Sequence, residues 1–136
     1  MKMEALRSPQ GDVLINGATS WNNTNVTLQQ GNLTLDGTIT GSPSAFSADG
    51  PASLTLGASA NSLSLSAMAL SGSLGFPATV SLTNQGSGTL AIATVNASQS
   101  GGYTALQRTS GDITIGQLNL GENQFNFENI SGALSI

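Results

Sequence analysis

Along this chain apolar residues recur in pairs two positions apart, and Gly, Asn or Asp separates each pair from the next. The strings "DVLIN", "NVTLQ", "NLTLD", "ASLTL", "ATVSL", "GTLAIA", "GDITI" and "GALSI" all have this form. A period of two belongs to a β-strand with one face turned inward, so the pattern predicts many strands of about three to five residues. One stretch, residues 58–71 ("ASANSLSLSAMALS"), holds enough Ala, Leu and Met to suggest a helix. Leu63 and Leu65 alternate there with Ser62, Ser64 and Ser66, which makes a poor helical surface and a good strand, and a strand is the expectation.

The pairs also repeat. Val13, Leu33, Leu54, Leu74, Leu90, Ile113 and Leu134 open similar segments at successive intervals of 20, 21, 20, 16, 23 and 21 residues. A second set of apolar positions follows within most units: Val26 with Leu28, Phe46, Leu63 with Leu65, Val80 with Leu82, Tyr103 to Leu106, and Phe125 with Phe127. A unit of about 20 residues with two or three short strands is one coil of a solenoid, whose strands pair in parallel with their equivalents above and below at roughly 4.8 Å.

The expected fold is therefore all-β, a parallel β-helix of about six rungs over residues 11–136, preceded by a non-repeating segment, residues 1–10. The seven opening residues are expected to stack as one aliphatic column, with a change of turn length near Leu90 that leaves the period intact. Gly111, Gly116 and Gly121 are expected at corners with left-handed backbone. Asp12 and Asp112 share a place before a strand, where a corner carboxylate either accepts backbone N–H bonds or is solvated. A β-sandwich is the competing architecture; it needs no repeat near 20 residues and draws on a more aromatic core than Trp21 and 4% aromatic residues supply.

Composition narrows the chemistry. The 136 residues are 38% hydrophobic, enough for a core, but only 7% charged, so the surface is neutral and rich in hydroxyls and amides. The only cations are Lys2, Arg7 and Arg108, and the net charge is −4; no basic patch exists for nucleic acid or anionic lipid. Without Cys or His there is no disulfide, no thiolate zinc, no thiol nucleophile and no imidazole base. Absence of Cys suits the cytoplasm and also export through an oxidising periplasm. Residues 1–10 lack the apolar core of a signal peptide, and no apolar run approaches membrane-spanning length, so membrane insertion is not expected.

Two long stretches, "GDVLINGATSWNNTNVTLQQGNLTLDGTIT" and "SGTLAIATVNASQSGGYTALQRTSGDITIGQLNL", resemble the repeats of filamentous-haemagglutinin-type exoproteins, the secreted adhesins of two-partner secretion systems. Similar strings occur in autotransporter passenger domains. The resemblance spans residues 11–136 and implies a right-handed parallel β-helix. It further implies a secreted or cell-surface location associated with the outer membrane, and a receptor or glycan on a host cell or surface engaged through the parent protein. Nothing matches the family's secretion domain residue by residue, so no recognition residue is carried over. The segment is expected to belong to a longer protein, with open β-helix ends that permit self-association.

The candidate chemistry is thin. Glycoside cleavage by paired carboxylates would draw on Glu4, Asp12, Asp36, Asp49, Asp112, Glu122 and Glu128; only Glu122 and Glu128 are near in sequence, and they straddle a strand. Serine has no imidazole to activate it, the Asp-bearing calcium nonapeptide is absent, and "GSGT" has no following Lys. Sequons at Asn22, Asn25, Asn32, Asn96 and Asn129 are what an Asn/Ser/Thr-rich chain contains by chance. The expectation is a non-enzymatic module with no cofactor, metal or catalytic residue. A carbohydrate-binding or carbohydrate-cleaving module is the first alternative. The second is an ice-binding solenoid, which needs a regular outward Thr ladder. The outward positions of the aligned repeats, Leu14, Thr34, Thr55, Gly75, Ala91, Thr114 and Ser135, hold only three Thr in seven.

Overall fold

The computed structural model describes residues 2–3, 11–28, 31–41, 44–48, 51–70, 79–97, 103–107, 111–119, 124–128 and 133–136. Among these there is no α-helix, and every strand pairs in parallel, which makes the fold a β-solenoid. One six-stranded sheet runs β1 (Val13–Asn16), β4 (Gly31–Asp36), β7 (Pro51–Leu56), β9 (Thr79–Asn84), β11 (Tyr103–Gln107) and β13 (Gln124–Glu128). The other, in reverse order, runs β14 (Leu134–Ser135), β12 (Asp112–Asn119), β10 (Thr89–Ala97), β8 (Leu63–Leu70), β6 (Ser44–Ala48) and β3 (Asn25–Leu28). A third, two-stranded sheet joins β2 (Thr19–Ser20) to β5 (Ile39–Thr40).

Alternation does in space what it does in sequence. In the first sheet Leu33, Leu54 and Leu82 occupy one register position and are fully buried, beside a second column of Ile15, Leu35 and Leu56. In the second sheet Leu63, Leu90 and Ile113 stack, then Leu65, Ile92 and Ile115, while Val26, Phe46, Met68 and Val95 form a further column. Each buried aliphatic side chain contributes about 1.5–3 kcal/mol relative to exposure, and these columns together form one hydrophobic core. Residues 63–70 are strand, as the Leu/Ser alternation predicts, with Ser64 and Ser66 exposed.

The single column expected from the repeat is corrected. Val13, Leu33 and Leu54 belong to the first sheet, but Leu90, Ile113 and Leu134 belong to the second; Leu74 lies outside the described residues. Leu54 pairs not with a residue 20 positions on but with Leu82, 28 positions on. The next pair in that sheet, Leu82 with Leu106, is 24 residues apart, and in the second sheet Leu63 pairs with Leu90 at 27. One long coil therefore shifts the phase of the repeat, and a fixed 20-residue ruler steps from one face onto the other. The two apolar sets exchange faces after Leu65.

The glycine expectation changes as well. Gly116 is no corner; β12 passes straight through it, so Ile113, Ile115 and Leu118 lie on one strand. Neither Gly116 nor Gly111 has the left-handed backbone found at Gly11, Gly17, Gly31 and Gly41. What Gly116 supplies is room: a Cβ there would stand 2.6 Å from the Ala93 carbonyl oxygen of the adjacent strand. Gly121 lies outside the described residues.

Among the described residues the third sheet holds only β2 and β5, and β8, β10 and β12 are longer than β3 and β6. Where β6 meets β8, a β-bulge between Ser44 and Ala45 admits Ser66, whose hydroxyl donates to the Ser44 carbonyl at 3.1 Å. Before the first coil, Lys2 bridges to Ser20 in parallel and Met3 is fully buried, so this part of the non-repeating segment covers the end of the core near Trp21.

Candidate functional site

Corners are where this chain places its polar side chains, and three carboxylates show how. Asp12 Oδ1 accepts the Asn32 N–H (3.2 Å) and the Asn32 side-chain amide (3.1 Å). Asp36 Oδ1 accepts the Ser59 N–H at 2.9 Å, and Asp112 Oδ1 accepts the Ala133 N–H at 3.0 Å. Each carboxylate thus bonds a backbone donor about one coil further on, where the parallel ladder is interrupted by the turn. Of the two readings of Asp12 and Asp112, the accepting corner group is the one found; Asp36 plays the same part, though its "DG" turn gave no sign of it in sequence. Glu4, Asp49, Glu122 and the side chain of Glu128 lie outside the described residues. Among the described residues no three of His, Cys, Asp and Glu come together to hold a metal.

Amides do comparable work. Asn84 takes the register position of Leu56 and is fully buried, and all its polar capacity is directed into the adjoining corner. Its Oδ1 accepts the Gly86 N–H (3.0 Å), and its Nδ2 donates to the carbonyls of Gly88 (3.0 Å) and Asp112 (2.9 Å). On the outside, Asn119 donates to Asn96 at 2.8 Å, Ser47 donates to Asn25 at 3.1 Å, and Ser53 donates to Asn32. Four of the five sequon asparagines are exposed, and three of these stand in such ladders; Asn129 lies outside the described residues.

Four clefts lie among the described residues. A groove of about 460 Å³ crosses the second sheet between Ser64, Ser66, Ala91, Ala93, Thr114 and Gly116, and its walls are small and nearly all apolar. A cleft of about 90 Å³ sits over Trp21 and is lined by Thr40, Ser62 and Ser64 among others. Two more, of about 430 and 170 Å³, flank Lys2 near Ser20, one toward Ala18 and Thr40, the other toward Asn22 and Thr24. None of the four is lined by an acid, so none offers the carboxylate pair that glycoside cleavage needs.

No family model, curated protein or solved structure matches this chain. No helix among the described residues is long and apolar enough to cross a membrane. Among the described residues, Asp12, Asp36, Asp112 and Asn84 bond backbone groups near the corners, while Asn25, Asn32, Asn96 and Asn119 form side-chain ladders on the outside.

Proposed function

We propose that this chain is a rod-forming segment of a secreted or surface-exposed bacterial exoprotein of the filamentous-haemagglutinin type, and that it performs no catalysis. With one strand of each six-stranded sheet assigned to each coil, it winds about six rungs, right-handed as parallel crossovers are in nearly all sheets. The observation that carries the reading is the placement of Asp12, Asp36 and Asp112, each of which ties its corner to the next coil. Such ties make every coil a template for the next, the property a spacer needs to project adhesive parts of a parent protein toward a receptor or glycan.

The test is export. The segment is fused behind a two-partner secretion domain, produced with its transporter in a Gram-negative host, and exposed to proteinase K on intact cells. The expected result is surface display with a protease-resistant fragment the size of the segment. Retention in the periplasm, or complete digestion at the surface, would overturn the reading. Turnover of a polysaccharide by the purified chain would favour the carbohydrate-cleaving alternative instead.

A further inference from the structure

The observed register rearranges the outward face as well as the core. Threonines that look scattered along the sequence become neighbours: Thr34 pairs with Thr55, and Thr55 with Thr83, on successive strands β4, β7 and β9. Beside them, two residues earlier on the same strands, runs a second column of Asn32, Ser53 and Ser81. The repeat alignment had placed Gly75 after Thr55, whereas the structure places Thr83 there. Six small polar side chains therefore form a two-by-three grid, all of them partly or fully exposed.

From this grid we infer that the outer face of the first sheet orders water into a lattice and adsorbs to ice. Spacing is the first argument. Same-face residues along a strand are about 6.6–6.8 Å apart and neighbouring strands about 4.8 Å, a rectangular net on the scale of the oxygen spacings of an ice surface. No bulge interrupts the pairing of β4, β7 and β9; the one register shift at a described pairing lies in the other sheet.

Rigidity is the second. A β-branched side chain is confined at χ1, so the hydroxyl and methyl of each Thr hold a fixed orientation and lose little entropy when a water layer forms over them. Ser53 donates to Asn32, which pins the amide at the grid's edge. Backbone donors and acceptors are consumed in the ladder, which leaves the hydroxyls as the groups that face water.

Charge is the third. None of the six positions carries a charge; the two carboxylates that flank the grid at β4, Asp12 at Asn32 and Asp36 two residues after Thr34, are each tied to a backbone N–H of the next coil. A glycan would call for a concavity with converging polar groups, and none of the four clefts is lined by any of these six residues. The grid ends at β1, where Leu14 takes the threonine position and is 61% exposed. A patch this small predicts slowed recrystallisation with faceted crystals and modest thermal hysteresis.

The experiment uses the purified chain, an ice-recrystallisation assay and a nanolitre osmometer. The wild type is expected to suppress grain growth and shape crystals. Thr55→Tyr, in mid-grid, should reduce the potency at least tenfold at unchanged circular dichroism, and Ser47→Tyr, on the outer face of the other sheet, should leave it intact. Should Thr55→Tyr not fold, Thr34→Lys gives the same reading at a grid position nearer the end of the sheet. No effect on ice at millimolar wild-type protein, or equal loss in the Ser47 variant, would overturn the inference. The rod reading rests on export and protease resistance and stands or falls separately.

Discussion

Asn61 acts as a strand for Ile39. Its side-chain Oδ1 accepts the Ile39 N–H at 2.8 Å and its Nδ2 donates to the Ile39 carbonyl at 3.1 Å, so one amide replaces the peptide that a third strand would have offered β5. The two-stranded third sheet can end there without leaving a polar edge unmet. Asn61→Leu removes both bonds and strands a part-buried N–H and C=O, a cost of about 2–4 kcal/mol. Asn61→Asp keeps the acceptor and loses the donor, and should fall between the two. Urea denaturation of the three proteins gives the order.

Thr19 supplies the opposite case. It is 2% exposed, and its hydroxyl is the one described side-chain group that is buried without a hydrogen-bond partner. Thr19→Val keeps the β-branched shape and removes the unmet group, so the variant should be more stable by about 1 kcal/mol, read as a rise in thermal midpoint.

Asn84 sits where the column partner is Leu56, and repeat logic would nominate Leu as the better residue. The structure predicts the reverse. Asn84→Leu strands the Gly86 N–H and the Gly88 and Asp112 carbonyls, and should cost about 3 kcal/mol or more. Chemical denaturation would show a lower midpoint; an unchanged midpoint would mean that water replaces the amide.

Leu54 is fully buried between Leu33 and Leu82, while Thr55, its neighbour in sequence, faces outward. Leu54→Asp places an unpaired charge in the core and should abolish the cooperative transition, whereas Thr55→Ser should shift it by less than about 0.5 kcal/mol. The same contrast holds for Ile113 and Thr114 in the second sheet.

Gly116→Ala tests the packing role assigned to that glycine. Its new Cβ would meet the Ala93 carbonyl at 2.6 Å, so the strands must part, at about 1–3 kcal/mol. A glycine needed only for a turn would give a smaller loss, and hydrogen exchange at β10 and β12 locates the damage.

The sequence by itself determined that strands form, which residues of each turn inward, and that the units stack. Those conclusions depend on local periodicity, and a period of two is fixed by the pleat whatever the rest of the chain does. For Asp12 and Asp112 the sequence offered two readings, an accepting or a solvated corner carboxylate, and the structure chose the accepting one. Only the tertiary structure decided which strand lies beside which. Register between coils is set by how many residues each turn holds, and the 28-residue step from Leu54 to Leu82 moved every strand after β8 to the other face of a 20-residue alignment. Partnerships across that step, such as Thr55 with Thr83 on the surface, have no local signature; nor does the amide of Asn61 beneath Ile39, since a side chain that replaces a strand looks in sequence like any other turn residue.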